Sequence, residues 1–382
     1  MRISKIETFL VPPRWLFVKV DTDDGVHGWG EAILQNRPNA VEGAVSDLAQ
    51  LLIGEDPTTV EAHWTRLYRG GFYRGGGTLM SALSALDQAM WDIKGKALGT
   101  SVCRMLGGPV RERIQVYTWI GGDRPQATGE AAKQAVEQGF KAVKMLACEE
   151  LHYIDSNARI DAAVAKVAAV RDAVGFELAI GIDFHGRVHR PMVKALARQL
   201  EPLRPMFYEE PLLSEHADAL LDLAHSTTVP LALGERLFTR WEFKKIFEGG
   251  AVALIQPDAS HAGGITETKK IAAMAESYDI GLALHCPLGP IALAACLQLD
   301  GLCQNAVIQE QSLGIHYNKT NDLLDYVVNP EVFKFTDGYV DIPDKPGLGI
   351  EINEEYVRER AKIGPGARRE LWKHPDGSFA EW

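Results

Sequence analysis

The sequence predicts an α/β protein, a (β/α)8-type barrel with an α+β capping domain before it and a C-terminal segment that completes the cap. Three observations predict it. From Ile114 onward, apolar runs of strand length alternate with helical stretches, the texture of a parallel sheet crossed by helices. Eight such runs occur, at 115–118, 142–146, 178–183, 206–209, 231–234, 252–256, 281–284 and 306–309, the strand number of a closed barrel. The last six each lead into an ionisable residue at a nearly constant interval. Asp183 to Glu209 and Glu209 to Glu235 are 26 residues each, and the next steps, to Asp258, His285 and Glu310, are 23, 27 and 25.

The elements before the barrel read differently. Residues 3–11 and 15–22 are strand-like, Asp23-Asp24-Gly25 supplies a tight turn, and 26–31 returns. Helical patterns follow over 38–52 and 79–98, the second with Ala82, Leu86, Ala89, Met90 and Ile93 at helical spacing. Residues 1–112 are therefore expected to form the α+β cap and 113–328 the barrel. The tail, 329–382, is irregular, carries Trp372 and Trp382, and is expected to pack back on the cap.

Composition removes several function classes. The 382 residues are 46% hydrophobic and 24% charged, an ordinary globular balance. The net charge of −11 and the absence of a basic run argue against nucleic acid as a partner. No apolar run approaches membrane-spanning length, and the N-terminal stretch lacks the apolar core of a signal peptide, so no membrane role is expected. Cysteines at 103, 148, 286, 296 and 303 are odd in number and form no Cys-x-x-Cys, which argues against a disulfide scaffold or a zinc site and for a reducing cytoplasm. A barrel of this size is expected to assemble as a homo-oligomer.

Parallel strands all point their C-terminal ends to one face, where barrel enzymes place their chemistry. One or two polar residues at strand ends would carry no weight; six in phase do. Asp183, Glu209 and Glu235 on neighbouring strand ends would repel one another without a cation. An all-oxygen set suits a hard divalent ion, Mg2+, rather than zinc. His185, two residues beyond Asp183, is expected on the same face. His285 beside Asp258 is an imidazole held in one tautomer and made more basic. Glu310 faces the cluster across the barrel. Lys144, ending the second strand, would neutralise an anionic substrate or pair with Asp183 or Glu209, and the two roles are compatible. A metal, a cation and two histidines suit removal of the weakly acidic proton next to a substrate carboxylate, with the metal and Lys144 stabilising the enediolate.

Several segments carry a family resemblance: DTDDGVHGWGEA in the cap, ALDQAMWDIKGKALGTSVCRMLGG at the junction, and the phased Asp, Glu and Glu. The chain resembles the enolase superfamily in its mandelate-racemase-like branch, which implies a modified TIM barrel. DFHGRV, EEP, GER, QPDASHAGGITE, HCPLGPIALAA and QEQSLGIHYNK resemble the galactonate dehydratase group within that branch. The resemblance implies Mg2+ on Asp183, Glu209 and Glu235, and His285 with Asp258 as the base at C2. It further implies His185 as the acid at the C3 hydroxyl, Glu310 stabilising the enediolate, and an aldonic acid as substrate, giving a 2-keto-3-deoxy acid.

One position departs from the branch. Many members carry a second lysine two residues after the first on the second strand, and the resembled group carries asparagine there; here it is Leu146. Leucine is no base, so racemisation through that device is disfavoured, and the sugar acid stays open. Arg14, in Pro12-Pro13-Arg14-Trp15, is a candidate substrate ligand. The Gly- and Arg-rich stretch 68–77 reads either as a lid or as a surface turn; no Gly-Lys-Ser/Thr follows, so it is no P-loop. Dehydration of another aldonate, racemisation using both histidines, and metal-dependent binding without turnover are the competing readings.

Overall fold

The computed structural model describes residues 1–122, 127–313, 323–366 and 371–381. Residues 314–319 of the QEQSLGIHYNK segment and Trp382 lie outside them.

The cap begins with an antiparallel sheet of β1 (Ile3–Val11), β2 (Trp15–Thr22) and β3 (His27–Glu31), in that order. Two helices cover it, α1 (Pro38–Ala49) and α3 (Gly77–Leu98), and α2 (Val60–Arg69) packs on α3. α2 was not among the expected elements, and it removes Tyr68 and Arg69 from the stretch read as a loop. β3 runs against α3 so closely that Cβ atoms at Gly28 and Gly30 would meet the carbonyl oxygens of Ala89 and Ala85 at 2.1 and 1.9 Å. Glycine is the one residue that fits that approach.

A short helix, α4 (Val102–Met105), leads into the second sheet. Its strands are β4 (Arg113–Trp119), β5 (Ala142–Leu146), β6 (Ala179–Asp183), β7 (Phe207–Glu209), β8 (Leu231–Leu233), β9 (Leu254–Ile255), β10 (Gly281–Leu282) and β11 (Gln309–Gln311). Between them lie α5 (Thr128–Glu137), α6 (Asn157–Val174), α7 (Arg190–Leu200), α8 (Leu220–Ala224), α9 (Arg240–Gly249), α10 (Gly264–Glu276) and α11 (Pro290–Leu302). β4 to β10 pair in sequence, all parallel, and β11 pairs in parallel with β4. A single bridge joins Leu282 of β10 to Ala306. Tyr117, Ala142, Phe207, Ala232, Leu254, Ala283 and Ile308 form a buried cluster, with Ala179 packed against it. Each comes from a different strand or its immediate flank, the layered filling expected inside such a sheet.

Two expectations shift. The last strand lies at 309–311 rather than 306–309, because Ala306 makes only the isolated bridge. β6 stops at Asp183, so His185 is not carried to the cluster by strand alternation. It sits in a turn, with φ of 49°, and its backbone N–H donates to Asp183 Oδ1 at 2.7 Å.

The tail divides its contacts. β12 (Phe335–Thr336) and β13 (Tyr339–Asp341) form a hairpin that pairs antiparallel with β4. Tyr326 and α12 (Glu354–Ala361) reach the cap. Tyr326 packs edge-on to Trp15 and Phe17 and donates to the Pro12 carbonyl at 2.9 Å, and Arg358 of α12 donates to Glu7.

Candidate active site

Register places the cluster. Leu146, Asp183 and Glu209 are successive Cα partners at the ends of β5, β6 and β7. Glu235 follows Gly234, whose φ of 150° and tight approach to the Gln256 backbone exclude a side chain. Asp183, Glu209, Asp258 and Glu310 are fully buried or nearly so.

The structure brings most of the expected residues together but divides them into two groups. Ligand atoms of Asp183, His185 and Glu235 lie within 4.8 Å of one another. His185 Nε2 is 3.1 Å from Asp183 Oδ2. His285 lies between two carboxylates, its Nε2 2.8 Å from Glu235 Oε2 and its Nδ1 2.8 Å from Asp258 Oδ2. Glu209 is turned the other way. Its two oxygens accept from Lys144 Nζ and Gln256 Nε2, each at 2.5 Å. Lys144 also reaches Glu310 at 2.8 Å and Asp183 at 3.9 Å. Lys144 is thus held among carboxylates, the pairing alternative of its two readings.

A cavity of about 190 Å3 opens onto this face, lined by residues including Arg14, Trp119, His185, Glu235, His261 and His285. Lys144 and Leu146 are fully buried and outside its lining. Arg14 donates to the Pro287 carbonyl at 2.6 Å and to Gln35.

Four residues that the sequence reading missed complete the arrangement. Trp119 donates to Glu310 and places its ring 4.8 Å from the Lys144 ammonium. Gln256 clamps Glu209; its signal was its place two residues before Asp258. Arg236 donates to the His185 carbonyl at 2.7 Å, holding the turn that carries the imidazole. Glu31, from the cap, accepts from the backbone N–H groups of Gly289 and Ala292 at 2.7 and 3.0 Å, the first turn of α11.

The electrostatics is that of crowded negative charge. Burial opposes ionisation of Asp183, yet His185 and Lys144 outweigh it and hold the carboxyl below its usual range. Burial likewise opposes ionisation of Glu235, and His285, His185 and Arg236 hold it well below. For Glu209, burial together with Asp183, Glu310 and Glu235 overrides Lys144 and pushes the carboxyl well up. Glu210, beside them, is pushed up to about 7 by burial and Glu235. Burial opposes charge on His285, but Glu235, Glu310 and Asp258 raise it well above the usual imidazole value. The chemistry of the donors suits a hard divalent cation: the Asp183 and Glu235 carboxylates converge beside His185, Glu209 is held nearby by Lys144 and Gln256, and the carboxylates outnumber Lys144 and Arg236.

The chain matches the family description "Mandelate racemase / muconate lactonizing enzyme, N-terminal domain" over residues 10–107 and "Enolase C-terminal domain-like" over 127–356. It is 55% identical to a D-galactonate dehydratase of Pectobacterium atrosepticum and 53% identical to one of Variovorax paradoxus, covering 100% of both chains in each case. Among solved structures it resembles an enolase from Agrobacterium radiobacter, described as a candidate galactarate dehydratase with bound Na and L-malate. There the TM-score is 0.90 and the identity 32%, covering 100% of both chains. A dehydratase-like protein from Mesorhizobium loti superposes with a TM-score of 0.89 at 30% identity, covering 94% of this chain and 98% of that one. The chain belongs to the enolase superfamily, in the family of mandelate racemase and muconate lactonizing enzyme.

Proposed function

We propose that this enzyme dehydrates D-galactonate to 2-dehydro-3-deoxy-D-galactonate. The broader class, a hydro-lyase acting on a sugar acid, rests on identity of 53–55% to D-galactonate dehydratases over the full chain. The observation that carries the mechanism is the pair of imidazoles, His185 and His285, on one cavity, with His285 tied to Asp258.

Asp258 accepts the Nδ1 proton of His285, and Nε2, which meets Glu235 in this structure, would be the base toward the cavity once Glu235 serves the ion. Nε2 takes the C2 proton, and the electron pair moves into the carboxylate as an enediolate. Its return expels the C3 hydroxyl, which leaves as water with a proton from His185. The enol then tautomerises to the keto acid. Asp183, Glu209 and Glu235 would hold the divalent ion, Mg2+ in this reading. When bound, the ion supplies positive charge beside the substrate carboxylate. Glu310, held by Trp119, Lys144 and the Cys286 N–H, adds a fixed polar group next to that charge. Arg14 is positioned to meet the sugar chain, and Lys144 acts on the carboxylate end through the cluster.

The same reading takes the sheet as a closed barrel, supported by the β4–β11 pairing and the Leu282–Ala306 bridge. It divides the chain at 1–112, 113–328 and 329–382, the last returning to the cap through α12, with Tyr326, just before that boundary, also packed on the cap. It is a cytoplasmic homo-oligomer in this reading. The five cysteines, all buried and free, agree with a reducing compartment, and among the described residues no helix is long and apolar enough to cross a membrane. Residues 70–76, after α2, are the lid candidate; Phe72 and Tyr73 are exposed.

The test is a screen of purified protein with Mg2+ against individual aldonic and aldaric acids, following 2-keto acid formation as the semicarbazone. Turnover of D-galactonate is expected. Turnover of a different aldonate would keep the mechanism and move the substrate. Exchange of the C2 proton without loss of water would favour racemisation instead.

A further inference from the structure

The motif QPDASHAGGITE places a third histidine on the cavity, and no step above uses it. His261 lies in the turn after β9, three residues beyond Asp258, and lines the same cavity as His185, Glu235 and His285. Its Nδ1 is 2.7 Å from the hydroxyl oxygen of Ser81, which is fully buried on α3 of the cap. Its Nε2 is 3.6 Å from Asp258 Oδ2, beyond hydrogen-bond length.

The proton count around Ser81 decides the tautomer. Ser81 Oγ is also 2.8 Å from the carbonyl oxygen of Gly77. A carbonyl oxygen only accepts, so that contact needs the single hydroxyl hydrogen. The other short contact then needs its hydrogen from the imidazole. His261 therefore carries its proton on Nδ1 and donates to Ser81. Burial lowers the His261 pKa against the pull of Asp258, in keeping with a neutral ring. Nε2 of that neutral ring is a bare acceptor.

We infer that His261 is a specificity residue: its Nε2 accepts a hydrogen bond from a substrate hydroxyl beyond C3, with the tautomer locked by Ser81 from the cap. The inference rests on the sugar-acid dehydratase reading. Donors already serve the protein's own carboxylates at the strand ends: Lys144, Trp119 and the Cys286 N–H. A polyhydroxy chain also brings donors of its own, and an acceptor fixed by the cap is what reads their position. A site built to bond a hydroxyl discriminates strongly against the analogue that lacks it.

The variant His261→Asn tests this, because its amide N–H can still donate to Ser81 while the Nε2 acceptor is gone. Kinetics are measured for wild type and variant with D-galactonate, its epimers and shorter aldonates. The expected result is a KM for D-galactonate raised about tenfold, the worth of one hydrogen bond. The preference over epimers and shorter acids should collapse, while C2-proton exchange in D2O persists. Unchanged selectivity overturns the inference. So does an equal loss of exchange on every acid, which would make His261 a support for the Asp258–His285 pair. A wild type that converts none of the acids sinks the dehydratase reading, and this one with it. An active wild type with an unaltered variant sinks only this one. Independently of activity, nitrogen NMR of the resting protein should show a neutral Nδ1–H imidazole that Ser81→Ala converts to a mixture. A Nε2–H signal in the wild type overturns the assignment.

Discussion

The face of α3 and the rim of β6 to β8 use similar polar side chains to opposite ends. On α3, Ser84, Asp87, Gln88 and Trp91 find complementary partners, most of them in the turn after β9 and the first turn of α10. Ser84 accepts from the N–H groups of Gly263 and Gly264 at 2.9 and 3.0 Å, and Asp87 accepts from the Thr266 N–H at 3.0 Å. Gln88 donates to the Ala259 carbonyl and accepts from the Glu31 N–H, and Trp91 donates to Thr266. At the rim, by contrast, Asp183, Glu209 and Glu235 crowd together with Glu310 of β11, His185 meets Asp183, and His285 meets both Glu235 and Asp258. Satisfied buried networks specify a unique packing. Crowded like charges destabilise the empty fold and stay because they do chemistry. The first region holds the second in register: α3 grips the turn that carries Asp258 and His261.

That contrast can be broken at several points. The largest effect is expected at His285. His285→Asn should lower turnover by ~10^2–10^4-fold and abolish C2 exchange, read by NMR in D2O. His185→Asn should lose dehydration to a similar degree yet retain exchange, since the proton can leave but the hydroxyl cannot. Loss of exchange there would remove the division of roles between the two imidazoles. A chelator should abolish turnover while circular dichroism and the cooperative thermal transition persist. Unfolding on chelation would show that the rim is structural like the seam.

The seam should answer in stability instead. Ser84→Ala leaves two backbone N–H groups without their acceptor and should cost about 2 kcal/mol in urea denaturation. A change below a few tenths would mean that water replaces the hydroxyl. A slope with pH is expected as well. Burial pushes Glu31 and Asp87 up to about 7, from ordinary values of 4.5 and 3.8. Over that window the folded chain binds protons that the unfolded chain has released, so stability falls as pH rises and levels off above about 7. Urea midpoints across about pH 5 to 8 should show the decline, and Glu31→Gln should flatten it.

Much of this was legible before the fold was known. Strand-length apolar runs alternating with helices pointed to the parallel sheet, and 142–146 matches β5 residue for residue. The phased Asp183, Glu209, Glu235, Asp258, His285 and Glu310 pointed to one candidate site, since period and chemistry coincide at strand ends. The misses have physical causes. α2 does carry the helical spacing, at Val60, His63, Trp64 and Leu67, but two of those four buried positions are His and Trp rather than aliphatic, which weakens the apolar stripe. β11 slipped because 306–309 is apolar enough for a strand, while pairing with β4 chose the more polar Gln309–Gln311. His185 reached the cavity by a turn with positive φ, which no alternation rule contains.

Residue type and interval determined the class of sheet, the carboxylates and imidazoles of the candidate site, and the leucine rather than a base at 146, because those are properties of the chain read in order. Tertiary structure decided which groups meet: Glu209 with Lys144 and Gln256, His285 with both Glu235 and Asp258, Ser81 with His261 across 180 residues of sequence. Such contacts depend on strand register and on how α3 lies across the turn after β9. Packing sets those distances, and no local pattern in the chain encodes them.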